Sequence, residues 1–125
     1  MIHIDEVLII HDYLIETFGG LKGIRDIKLL ASAMKRPYSG AFDDEFYPSV
    51  TLKAAALIEG IVKNHPFLDG NKRTAYVILR LFLNEHGKDI LADEDDKYDM
   101  VMRIANSEIE FGEVHTWIEN HLVDR

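Results

Sequence analysis

Residues 65–73 read His-Pro-Phe-Leu-Asp-Gly-Asn-Lys-Arg, and the stretch lies between two apolar segments with helical periodicity. Upstream, Ala54, Leu57, Ile58, Ile61 and Val62 recur at helical spacing and predict a helix over about 49–63. It must end near Asn64, because Pro66 disfavours helical geometry at His65 and cannot itself continue a helix. Downstream, a second helix is predicted over about 71–86, with Gly87 as its stop. Its stretch 75–83 is apolar nearly all round apart from Arg80, which marks a central, buried helix.

The short connection between these helices is dense in chemistry. Phe67 and Leu68 interrupt its polar residues, and at least one of them can anchor the loop in the core. That anchoring holds the His65 and Asp69 side chains in place, as a reactive site requires. Gly70 permits a tight turn or the close approach of a ligand. The helix that follows presents unpaired N–H groups at its first turn, and these favour anions, phosphate above all. Lys72 and Arg73 oppose the helix dipole there, a conflict that an anionic ligand resolves. Asp69 is a hard oxygen ligand suited to Mg²⁺ held mainly by phosphates and water. His65 is of the residue type that serves most often as a general base near neutrality. The same residue types also serve as plain structure: His65 and Asp69 as helix caps, Lys72 and Arg73 as solvated charges.

The rest of the chain also reads as helix. Val7, Leu8, His11, Leu14, Ile15 and Phe18 form one apolar stripe, with Asp5 as a capping candidate and Gly19-Gly20 as the stop. A short helix follows Asp26 and ends at Pro37. Residues 38–48, YSGAFDDEFYP, keep no helical period and read as an exposed loop or short β-hairpin with four aromatics, a candidate partner surface. A fifth helix begins near 93–96 and a sixth covers about 111–122. The expected fold class is all-α: about six helices with one short loop or hairpin flap, residues 1–125 forming a single domain.

Composition narrows the function. The chain has no cysteine, which removes disulfides, thiolate metal sites and a cysteine nucleophile. The formal net charge is −8, so direct nucleic-acid binding is not expected and any anion site must be local. The opening MIHIDEVLII has no basic n-region, and no apolar run approaches the ~18 residues of a membrane span. A cytoplasmic protein with no membrane partner is expected. His11 reads as a core or hydrogen-bonded histidine, and Arg80 as the partner of an acidic residue. Asp93, Glu94, Asp95 and Asp96 lack the glycine and the terminal Glu of an EF-hand loop and read as a solvated helix start. His115, Trp117 and His121 show no zinc signature, and Trp117 is expected to pack into the core or a partner groove.

HPFLDGNKR resembles the signature of the Fic/Doc family, approximately His-x-Phe-x-Asp/Glu-Gly/Ala-Asn-Gly/Lys-Arg, at every specified position. The opening HIDEVLIIHD, the segment FGGLKGIRDIKLLASAMKRP and RTAYVILRLFLNEHG are similar to its death-on-curing (Doc) branch. Lys72 replaces the glycine usual in Fic AMP-transferases, and Tyr76 replaces their second arginine; both match the Doc pattern. The resemblance implies a toxin of a toxin–antitoxin system that moves the γ-phosphate of ATP onto a hydroxyl side chain. Its implied target is a threonine of elongation factor Tu, and translation is blocked. By the same resemblance His65 is the base, and Asp69 holds Mg²⁺ or orients the hydroxyl and His65. Gly70, Asn71, Lys72 and Arg73 bind phosphate, and Lys63 offers a second basic contact. The 38–48 flap resembles the segment that aligns a target chain by strand pairing. A Ser/Thr-x-x-x-Glu-Gly/Asn inhibitory pattern is absent from the sequence, so a separate antitoxin protein is implied. The alternatives are a Fic-type AMP-transferase, which Lys72 and Tyr76 argue against, and a non-enzymatic nucleotide- or partner-binding module, which intact His65 and Asp69 argue against.

Overall fold

The computed structural model describes residues 2–125. Its helices are α1 (Ile4–Phe18), α2 (Ile27–Lys35), α3 (Val50–Asn64), α4 (Asn71–Glu85), α5 (Glu94–Ala105) and α6 (Phe111–His121). Two small antiparallel pairs complete it: β1 (Gly40–Ala41) with β2 (Asp44–Glu45), and β3 (Lys88–Ile90) with β4 (Leu122–Asp124). The expected all-α class with a short hairpin is what the chain adopts. The β3–β4 pair was not legible, since two three-residue segments give periodicity almost nothing to act on.

Helix starts follow local chemistry. Asp26 caps α2 by accepting from the N–H groups of Lys28 and Leu29, Ser49 caps α3 through Leu52 N–H, and Asp93 caps α5 through Asp96 N–H. α1 departs from expectation. His3 is its N-cap, in a reciprocal arrangement with Glu6, and Asp5 lies inside the first turn. A 3-10 turn at Arg36–Tyr38 carries Pro37 beyond the end of α2.

The hub is α3 rather than α4. An unbroken run from Ala54 to Val62 is buried, and α2, α4, α5 and α6 all pack on this helix. Ala54, Ala55, Ala56 and Gly60 keep its girth small, so neighbours approach closely. A Cβ at Gly60 would lie 3.3 Å from the Ala33 Cβ on α2. α4 contributes Ala75, Ile78, Leu79, Phe82 and Leu83 to the same core but exposes Arg80, and part of Leu81 is open as well. The core runs on through Met100 and Ile104 of α5 to Val114 and Ile118 of α6, and Trp117 packs against it.

Two polar links tie surface segments to this frame. Arg36 donates to Glu59 at 2.8 Å, and Arg80 grips Asp89 with paired bonds of 2.9 and 2.8 Å. The hairpin is fastened by Lys53, whose ammonium donates to Glu45 and to the Tyr47 carbonyl. Lys53 precedes His65 by twelve residues, about 18 Å along the axis of α3. Burial and the Glu85 carboxylate, at the far end of α4, raise the Tyr38 pKa. The hairpin is therefore anchored near the end of the helix pair opposite His65, with Phe42 fully exposed at its tip.

The Arg80 hydrogen bonds pull the Asp89 carboxyl down to about 2 from 3.8. A carboxyl depressed on folding adds stability that is present above its unfolded value and lost as pH falls through its folded value. Asp89→Asn should therefore lower stability at pH 6. The gap to wild type should close between about pH 4 and 2, read by urea unfolding across that range. A gap that stays constant down to pH 2 would show that the pair carries no linked protonation.

Candidate functional site

The loop between α3 and α4 turns on His65, which closes α3 in the left-handed conformation (φ 51°, ψ 55°). For a non-glycine residue that geometry costs about 1–2 kcal/mol. Arg25 offsets part of it: its guanidinium donates to the carbonyls of His65 (2.7 Å) and Asn64 (2.8 Å), two groups the helix end leaves open. Phe67 then drops into the core at 1% exposure, which stabilises the loop by about 1.5–3 kcal/mol.

Asn71 locks this conformation. Its side-chain oxygen accepts from Phe67 N–H at 2.9 Å, and its amide donates to the Phe67 carbonyl at 2.9 Å. With the amide orientation so fixed, the second N–H faces His65 Nδ1 at 3.2 Å. The sequence reading gave Asn71 to phosphate. The structure buries it (3% exposed) and engages its side chain within the loop, leaving its backbone N–H at the helix start.

Asp69 is exposed, and both its oxygens are engaged. Oδ2 accepts from Leu21 N–H (3.1 Å) and Oδ1 from Gly70 N–H (2.9 Å). These donors, Leu21 first and Gly70 second, hold its carboxyl below the ordinary carboxylate range. The bond to Gly70 falls one residue short of the helix, so Asp69 does not cap α4. Gly70 is the N-cap at φ 76°, and no side chain caps this helix. The N–H groups of its first turn receive no side-chain cap, and Lys72 and Arg73, both exposed, stand beside them. Arg73 lies 4.3 Å over the ring of Phe18, itself largely exposed.

A cleft of about 770 Å³ opens at this helix start. His65, Asp69, Gly70, Asn71, Lys72 and Arg73 all line it, together with Tyr76 and, from α5, Lys97 and Tyr98. Its volume falls in the usual range for small-molecule sites, about 300–1,000 Å³. Lys63 is exposed on the last turn of α3 and is not among the residues lining this cleft. Arg80 borders the cleft while paired to Asp89, so the acidic partner expected for it exists.

Sequence reasoning missed the segment 20–26, which runs along the loop as a strap. Leu68 N–H donates to the Gly23 carbonyl (3.2 Å), Ile24 pairs with Phe67, and the N–H groups of Arg25 and Asp26 donate to the Pro66 carbonyl (2.7 and 3.0 Å). Gly20 (φ 121°) brings the chain against Asp69, and a Cβ there would lie 2.6 Å from the carboxylate. The signal was present in the glycines at 19, 20 and 23. α5's share in the cleft had no signal, since nothing in its spacing distinguishes a cleft wall from a solvated face.

An all-α core presents a histidine, a carboxylate and an uncapped helix start flanked by two cations at one cleft. The sequence pattern of the Fic/DOC family matches residues 2–83, well over half of the chain, and the chain belongs to that family. It is 41% identical over 78 residues to "Toxin Doc" of Mycolicibacterium smegmatis, covering 62% of this chain and 60% of that protein. It is 29% identical over 110 residues to "Protein kinase doc" of Escherichia phage P1, covering 88% of this chain and 86% of that one. No helix is long and apolar enough to cross a membrane, among the described residues.

Asn71→Asp keeps the acceptor for Phe67 N–H but sets a carboxylate oxygen against the Phe67 carbonyl and removes both donors. It should destabilise the fold by about 1–3 kcal/mol, measured by urea denaturation at neutral pH. Unchanged stability would mean that the side chain does not hold the loop.

Proposed function

We propose that this chain is a Doc-type toxin that transfers the γ-phosphate of ATP to a hydroxyl side chain of a target protein. The observation that carries the proposal is the uncapped start of α4, with Lys72 and Arg73 beside it, in one cleft with exposed His65. Phosphoryl transfer depends mostly on positioning and on stabilising charge, and this arrangement supplies both. The names of the two relatives, a toxin and a protein kinase, support the same reading.

The roles follow from placement. Backbone N–H groups from Gly70 onward, with Lys72 and Arg73, hold phosphate oxygens. Asn71 contributes its backbone N–H, while its side chain keeps the loop closed. Asp69 fits Mg²⁺ as a single carboxylate ligand: it is exposed, and each oxygen retains a lone pair beyond its one backbone bond. The ion supplies neutralisation of phosphate charge. Lys63 gives basic character to the rim outside the cleft.

His65 takes the proton as the acceptor oxygen bonds to phosphorus and ADP leaves. Its resting hydrogen bond shapes how. Asn71 donates to Nδ1, so the neutral ring carries its proton on Nε2. Accepting a proton at Nε2 requires the other tautomer, and the 3.2 Å contact with Asn71 must then open. It is the longest of the three bonds Asn71 makes, and the clamp on Phe67 does not depend on it.

A threonine of elongation factor Tu is the proposed target, with arrest of translation as the effect. A separate antitoxin is the proposed partner, and the cytoplasm the proposed location. The 38–48 hairpin remains a proposed docking strand for the target, although its anchors lie toward the opposite end of α3 from His65.

Incubation with bacterial lysate and ATP labelled at the α- or γ-position tests the reaction. The γ-label should appear in protein and vanish with His65→Ala. Transfer of the α-label would make the chain an AMP-transferase. Folded protein that transfers neither label across several lysates would be a binding module.

A further inference from the structure

His11 is a buried histidine of α1, 2% exposed, and no part of the chemistry above uses it. Its ring lies flat on Phe67, with centroids 3.7 Å apart and planes 6° from parallel. Its Nε2 sits 2.7 Å from the backbone carbonyl oxygen of Asp69. A carbonyl oxygen carries no hydrogen, so Nε2 is the donor and the ring's tautomer is set by this bond. An apolar side chain of similar size would fill the space and leave that carbonyl without this partner.

The bond falls at an informative place. The Asp69 carbonyl and the Gly70 N–H belong to one planar peptide unit. One edge of that plane is tied to His11, and the other to Asp69 Oδ1. The plane is thus held from both sides, directly before the first N–H groups of α4. Gly70 also packs on the same residue, since a Cβ there would lie 3.6 Å from His11 Nε2 and 3.0 Å from Ile15 Cδ1. Turning the peptide would swing the Asp69 carboxylate and the start of the anion-facing turn together.

We infer that His11 is a positioning residue: through its Nε2–H bond to the Asp69 carbonyl it sets the peptide plane that aims both the Asp69 carboxylate and the first N–H groups of α4. Its catalytic consequence rests on the phosphotransfer reading, but its structural content does not. The element responsible is the donor, with the ring stack as its support.

Two variants separate donor from ring. His11→Phe keeps the stack on Phe67 and removes the donor. His11→Gln loses the ring and keeps an amide donor. In the free protein, the amide resonances of Gly70, Asn71 and Leu21 should move in His11→Phe and lie closer to wild type in His11→Gln. With γ-labelled ATP, His11→Phe should lower kcat by roughly a hundredfold, with a smaller change in KM, and His11→Gln should recover part of that loss. Wild-type protein should show a slowly exchanging His11 Nε2–H in imidazole ¹⁵N spectra, a readout that survives if a variant fails to fold. A His11 ring without a proton on Nε2, or unmoved amide resonances in folded His11→Phe, would overturn the inference. So would equal loss in both variants, which would assign the effect to the ring alone. A wild-type protein that transfers no label would overturn the phosphotransfer reading, and the resonances would still decide the role of His11.

Discussion

A loop that offers a histidine and a carboxylate to solvent has to fix its own backbone while exposing its side chains. Phe67 meets both demands. Buried at 1% exposure, it takes the His11 ring on its face, the Asn71 side chain on its N–H and carbonyl, and Ile24 as a backbone neighbour. Its burial, worth about 1.5–3 kcal/mol, exceeds the roughly 1–2 kcal/mol cost of the left-handed turn at His65. The two Asn71 bonds add about 1 kcal/mol each and, more importantly, admit one register only. His65 and Asp69 flank this anchor, two residues away on either side, so their placement follows from it.

The electrostatics depend on the same frame. Lys72 and Arg73 at a helix start cost about 0.3–1 kcal/mol each against the dipole when no anion is near. Arg73 recovers some of this by lying over Phe18, and Asp69 brings a fixed negative charge to the neighbourhood. The carboxylate is kept charged by backbone donors rather than by the cations beside it, which leaves Lys72 and Arg73 available to a ligand. A site built this way holds unspent positive potential in a chain whose net charge is −8.

Much of the frame was legible because it rests on local signals. Asp26 and Ser49 cap the helices they were expected to begin, Gly19 ends α1, and the 38–48 stretch forms a hairpin. HPFLDGNKR announced a turn between two helices with polar residues at its surface, and seven of its residues meet at one cleft. What stayed hidden is tertiary. Periodicity placed His11 on the buried face but not against the Asp69 carbonyl, 58 positions away. The structural work of the Asn71 side chain was equally hidden, because a residue at a helix start reads as a ligand donor until the backbone it binds is seen. The centrality of α3 was underestimated because a hydropathy pattern weighs alanine and glycine lightly, whereas close helix packing depends on them.

The anatomy also sets the two ends of α3 apart. Toward its start lie the Lys53 and Tyr47 links of the hairpin, and Arg36–Glu59 stands near its middle. Toward its end lie the left-handed His65 and the exposed Arg25 bonds. Exposed hydrogen bonds and a strained residue mark the low-stability end of a fold, where local opening is cheapest. The strap 20–26 belongs to that end: it touches the loop mainly through backbone bonds, and Leu21, Lys22 and Arg25 are exposed. Loosening it would free the Leu21 donor from Asp69 and the Arg25 donors from His65 at once, while Phe67, His11 and Asn71 kept the loop in register. The arrangement therefore places the exposed contacts of His65 and Asp69 on the surface and the buried ones beneath them.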